Sequence, residues 1–195
     1  TLVQMPPVYS GAQAQNVGFA QSATKVYFDP EYSLSSLIQI VLDPGQGVEG
    51  TGAGISKANV QTVQDTNSTK RVATFADTRD DALDFVLHVP GDYSTGSHLR
   101  ILARSAQTSG VVVWQARTAA VTPPAASDPT LTTNTGYAAT IPGSANQTFQ
   151  SNVQITTALK PNDQLNLRIV RAAASSATDT VGGNVDLLYA IFEYA

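Results

Sequence analysis

The chain of 195 residues contains no cysteine, which excludes a disulfide framework, a thiolate metal site and a cysteine nucleophile. Charge is scarce: Asp, Glu, Lys and Arg make up 13% of the sequence, against about 25% in an average soluble domain. Long solvated helices draw on Lys and Glu for their polar faces, so little room is left for them. Acid exceeds base to a formal net charge of −4, the wrong sign for a general nucleic-acid binder. Apolar runs are short. The longest, Leu37-Ile38-Gln39-Ile40-Val41-Leu42, is strand-sized and far below the roughly 20 residues of a membrane-spanning helix, so no membrane partner is expected. No charged segment leads into an apolar one at the start, and no leader peptide is expected in the chain. What is present is 42% hydrophobic residues, enough for a core, in a background of Thr, Ser, Asn and Gln. This composition points to an all-β protein and away from an enzyme.

Residues 1–23 lack alternation and carry a Pro pair, which favours extended backbone; they read as an extended N-terminal arm with Leu2, Met5, Tyr9 and Phe19 as isolated anchors. Residues 24–195 read as a single β-sandwich domain. In Leu83–Val89 the residues Leu83, Phe85, Leu87 and Val89 face one way while Asp84 and His88 face the other, a half-buried strand. Leu99–Arg104, Val111–Arg117 and Leu165–Ile169 follow the same rule or are β-branched throughout. Further strands are expected at 25–28, 36–42, 59–63, 71–75, 149–157 and 185–194, with a short one near 137–141 inside a Pro-rich loop over 122–145. Turn signals separate them, and helical periodicity is confined to Asp77–Leu83. About 8–10 strands so spaced indicate a sandwich or barrel rather than a βαβ fold. Residues 185–194 are apolar on both faces, with Leu187, Tyr189 and Ile191 on one and Leu188, Ala190 and Phe192 on the other. Such a strand belongs at the centre of a sheet, or has its outer face covered by another subunit.

Motifs that carry chemistry are few. Gly45, Gly47 and Gly50 match the spacing of a dinucleotide fingerprint, but the helix needed to hold a pyrophosphate does not follow them, and a flexible hairpin loop is expected. The two histidines, His88 and His98, lie on or beside strands without a nucleophile elbow and read as exposed polar side chains. Asp77, Asp80, Asp81 and Asp84 form the sole acidic cluster. Carboxylates of this density can hold calcium, yet the spacing fits no calcium loop and Arg79 interrupts it, so a solvated turn or the start of a helical turn is expected. Trp114 shares a face with Val112 and Ala116 and is expected in the core. No catalytic, cofactor-binding or metal-ligating residue is assigned, and no cofactor is expected.

The stretch from about Leu83 to Tyr194 resembles a β-sandwich domain of the structural proteins of tailed bacteriophages. The carrying blocks are Phe85 to Pro90, Leu99 to Ile101, Thr108 to Trp114, Pro161 to Arg171 and Ala177 to Tyr194, in that order and spacing. The resemblance implies a jelly-roll-like antiparallel β-sandwich and a non-enzymatic capsid decoration (cement) protein. Such a protein would bind the major capsid protein, self-associate as a homotrimer and sit on the capsid exterior of the virion, after synthesis in the bacterial host cytoplasm. The alternative it leaves open is a tail-associated, receptor- or glycan-binding β-sandwich.

Overall fold

The computed structural model describes residues 38–125, 128–134 and 136–194. The proposed arm and the strand expected at 25–28 lie outside them. Thirteen strands are present among the described residues: β1 (Ile38–Leu42), β2 (Val48–Gly50), β3 (Ser56–Lys57), β4 (Asn59–Gln64), β5 (Thr69–Phe75), β6 (Asp81–His88), β7 (His98–Ser105), β8 (Val111–Val121), β9 (Thr132–Thr133), β10 (Tyr137–Thr140), β11 (Thr148–Gln154), β12 (Gln164–Arg171) and β13 (Val185–Tyr194). A three-residue 3₁₀ turn at Pro44–Gln46 is the helical element among them.

One sheet runs β11-β7-β13-β5-β4 with β1 added to β13; the other runs β10-β8-β12-β6-β2, with β3 and β9 at its edges. All pairings are antiparallel except β3 on β6. From β5 onward the main strands pass between the sheets so as to give β5-β13-β7-β11 facing β6-β12-β8-β10. Those two four-stranded orders define a jelly roll, so the fold is a jelly-roll β-sandwich.

Alternation drives the packing. Leu83 and Phe85 of β6, Leu165, Leu167 and Ile169 of β12, and Trp114 of β8 meet Leu99 and Ile101 of β7 and Leu187 and Phe192 of β13 in one buried cluster. Trp114 is fully buried with Val112 and Ala116, as its face predicts, and its ring meets Phe75 edge-on at 5.1 Å.

Strand β13 departs from the simple alternation of residues 185–194. A bulge between Leu187 and Tyr189 inserts Leu188 as an extra residue against β7. Leu187 therefore shares the core with Ala190, Phe192 and Tyr194, while Tyr189, Ile191 and Glu193 turn outward. The stretch expected as helix-like is not helical: Asp81–Leu83 belong to β6. Val48–Gly50, expected within a flexible loop, are a strand on β6. A Cβ at Gly50 would stand 2.6 Å from the Asp84 carboxylate, so a larger residue there would have to displace that side chain.

Candidate functional site

The acidic cluster resolves into separate structural roles rather than a solvated turn. Asp80 is buried and accepts from the backbone N–H groups of Ala174 and Ser175 at 2.8 and 3.0 Å. Asp81, also buried, accepts from Ala76 N–H and from Arg79 Nε. Asp84 forms a two-point pair with Arg168 at 2.7 and 2.6 Å. The hydrogen bond from Arg168 to Asp84 raises the guanidinium above its ordinary pKa against the opposing effect of burial. Among the described residues no three His, Asp or Glu converge as a metal site.

The two histidines lie in different sheets. His88 is exposed at the end of β6, as expected. His98 is not simply an exposed polar group: its Nε2 lies 2.6 Å from Glu193, whose side chain is 4% exposed. The same carboxylate accepts from Arg100 at 2.5 Å and Gln39 Nε2 at 2.7 Å, because the register places Gln39 and His98 on either side of Glu193. The group ties β1 and β7 to β13.

A groove of about 470 Å³ lies at one end of the sandwich. One wall is Tyr93–Ser97, the β6–β7 loop; the other is Gln154–Leu159, where β11 ends. Its lining residues are the polar Tyr93, Ser94, Thr95, Ser97, Gln154, Thr156 and Thr157 and the apolar Ile155, Ala158 and Leu159, and none is charged. The sequence Tyr-Ser-Thr-Gly-Ser builds the first wall because a Pro90–Tyr93 turn closes with a 3.1 Å backbone bond and Gly96 adopts φ +74. Ile155 N–H donates to the Ser97 carbonyl at 3.1 Å and joins the walls.

Behind the groove, Asn134 is 2% exposed and fully bonded. Its Nδ2 donates to the Ala116 carbonyl at 3.1 Å and to Thr118 Oγ1 at 2.7 Å. Its Oδ1 accepts from Thr156 N–H at 2.8 Å and from the Thr156 hydroxyl at 2.5 Å. Thr118 and Thr157 hydroxyls meet at 2.5 Å. Asp163 holds the far end of that wall through Lys160 N–H at 2.9 Å and the Thr122 hydroxyl at 2.7 Å. Below the other wall, Tyr93 packs on Tyr194 at a ring separation of 5.4 Å, and the Tyr194 hydroxyl donates to Asp92 at 3.1 Å. A wall so braced loses little freedom when a ligand binds.

Sequence reading assigned no site residue and missed this groove. Its available signal was the cluster of hydroxyl residues at 93–97 and 156–157, both between strands. No signal marked Asn134, because a polar residue in a long loop gives no sign of being buried.

No family model matches the chain, and no curated protein matches it. Among solved structures, a family 6 carbohydrate-binding module from Clostridium stercorarium, in complex with cellobiose, is similar at 9% identity, covering 80% of this chain and 94% of that one, with a TM-score of 0.48. A family 35 module from Cellvibrio japonicus Abf62 is similar at 11% identity, covering 80% and 92%, with a TM-score of 0.46. The enzymatically active domain of bacteriophage CBA120 tailspike protein 4 is similar at 12% identity, covering 80% of this chain but 19% of that one, with a TM-score of 0.36. At these values no ligand, partner or residue role carries across.

Proposed function

We propose that the chain is a non-catalytic binding domain whose end groove recognises a neutral glycan. The observation that carries this reading is the groove's lining: uncharged polar residues, a half-buried tyrosine and the apolar Ile155, Ala158 and Leu159, with no charge, beside a wall fixed by Asn134. Sugar hydroxyls exchange hydrogen bonds with such groups, and the Tyr93 ring offers an apolar face to a pyranose. The groove has no carboxylate pair and no nucleophile with an adjacent base, so its chemistry is binding. A glycan array followed by titration calorimetry tests it. Neutral oligosaccharides should bind, and Tyr93→Ala should weaken them about tenfold or more, as loss of a stacked aromatic costs on the order of 1.5 kcal/mol. Preference for sulfated or uronic-acid glycans would sink the assignment.

A second reading rests on a different observation. On the outer face of the first sheet, Val41 is 59% and Tyr189 38% exposed, beside Ile191 and Leu102. That apolar spot suits cover by another protein surface and supports the proposal of a virion decoration subunit, a homotrimer seated on the major capsid protein at the capsid exterior. Light scattering after size exclusion decides between monomer and trimer. Val41→Asp should dissociate the trimer with β content unchanged.

A further inference from the structure

Strand β4 borders the first sheet: it pairs with β5 on one side and, among the described residues, with no strand on the other. At the opposite border, β11, the inward side chains Ser151 and Val153 are buried. In β4 the side chains of Thr62 and Gln64, which share a face with the core-packed Val60, are exposed, so this edge stands open to solvent. Folds usually disarm such an edge with a lysine, a proline or a bulge. Asn59-Val60-Gln61-Thr62-Val63-Gln64 has no charge and no proline, and its register on β5 runs without a shift.

The β4–β5 hairpin fixes which groups the edge offers. Asp65 N–H donates to the Ser68 carbonyl at 2.8 Å, so these two residues form a bonded pair. Alternation from that pair turns the N–H and C=O groups of Asn59, Gln61 and Val63 toward β5. Those of Val60, Thr62 and Gln64 point outward. An extended chain laid against the edge can bond to them in turn.

We propose that this edge pairs with β4 of a second copy of the chain, antiparallel about a twofold axis at Thr62. In that register Thr62 faces Thr62 and Val60 faces Gln64, so all three outward residues bond to their opposites. A one-residue shift opposes outward groups to groups already turned toward β5. A two-residue shift one way sets Gln64 against Ala58, whose N–H is spent on the Ala82 carbonyl at 3.0 Å. The other way sets Val60 against the turn residue Thr66. Side chains agree with the favoured register. On the outer face Gln61 meets Val63, and the Asn59 amide meets the Asp65 carboxylate, which its own chain already pairs with Lys70 and Arg104. On the inner face the two Thr62 side chains meet, and no like charges are opposed. The edge shares no residue with the end groove, so either proposal can fail without the other.

One added strand pair makes a small interface, so the dimer should be weak, with a dissociation constant of about 1–100 µM. Sedimentation equilibrium of the full chain from about 1 µM to about 1 mM should pass from the 20.4 kDa monomer to twice that mass. Amide hydrogen exchange should slow with concentration at Val60, Thr62 and Gln64 and stay level at Gln61 and Val63. Thr62→Pro removes an N–H that β4 does not use internally, so the fold should survive while the dimer weakens at least about tenfold. Thr62→Lys and Thr62→Glu should each stay monomeric, and their equimolar mixture should pair. A monomer at every concentration, a trimer, or a mixture that fails to pair would each overturn the proposal. Two further results would do the same: a folded Thr62→Pro chain that dimerises like wild type, and protection of the outward amides that ignores concentration, since the chain would then cover its own edge.

Discussion

Replacing Arg171 by methionine should cost the fold about 3–5 kcal/mol near neutral pH, because it strands a buried carboxylate. Arg171 is fully buried at the end of β12, and Asp179 opposite it has a side chain 2% exposed. Its Nε and Nη2 donate to the two carboxylate oxygens of Asp179 at 3.2 and 2.9 Å. Its other N–H groups reach the carbonyls of Phe75, Gly183 and Val181 at 3.3, 2.7 and 2.8 Å. Methionine keeps most of the volume and loses every donor. Asp179 would retain the Val113 N–H at 2.9 Å but no opposite charge. Trp114, the single tryptophan, is buried beside Phe75 and reports unfolding in urea by fluorescence. At a slope of about 1–3 kcal/mol per molar urea, the midpoint should fall by at least about 1 M. Adding Asp179→Asn should recover part of the loss at neutral pH. A variant within about 1 kcal/mol of wild type, or no recovery on adding Asp179→Asn, refutes the reasoning.

Three further outcomes are expected. Asn134→Ala should lower stability by about 1–3 kcal/mol and weaken glycan binding at the groove, although Asn134 does not line it; thermal denaturation and calorimetry read the two effects. Burial, and then the hydrogen bond to Asp92, raise the Tyr194 hydroxyl above its ordinary 10.0, so its contribution is complete below pH 10 and is lost as pH climbs through the folded-state value. Tyr194→Phe should flatten that alkaline loss in a pH series of melting temperatures. Hydrogen bonds from Lys70 and then Arg104 lower Asp65 below its ordinary 3.8, so its contribution is present above that value and fades as pH falls through the lower one; Asp65→Asn should flatten the acid limb of the same series.

Much of the sandwich was legible because alternation is a direct record of which face is buried. Leu83, Phe85 and Leu87, or Leu165, Leu167 and Ile169, declare their faces in order, and Trp114 sits where its neighbours place it. Extending that rule two residues beyond Ile169 puts Arg171 inward as well. Its partner, in the β12–β13 loop, is set by three-dimensional closure and leaves no periodic trace. The same limit hid the groove. Tyr93 and Thr156 are brought together by the jelly-roll crossing, and Asn134 reads as an ordinary loop residue until its four side-chain hydrogen bonds are known. The bulge at Leu188 shifted the faces of β13 because one inserted residue inverts alternation for everything after it. The acidic cluster misled for a related reason: nearness along the chain is not nearness of side chains when strand and turn send them to different partners.

The place of β13 has a consequence for how the molecule assembles in time. Of the described strands this is the last to be synthesised, yet it lies between β7 and β5 and also receives β1. Until it docks, β5 and β7 each keep a bare edge, and one half of the sandwich has no middle. Such distant pairings make folding slow, and open edges invite strand exchange with other chains. The first sheet should therefore close only once Val185–Tyr194 has been made, and a chain stopped before Val185 should accumulate as an aggregation-prone species instead of a smaller stable fold.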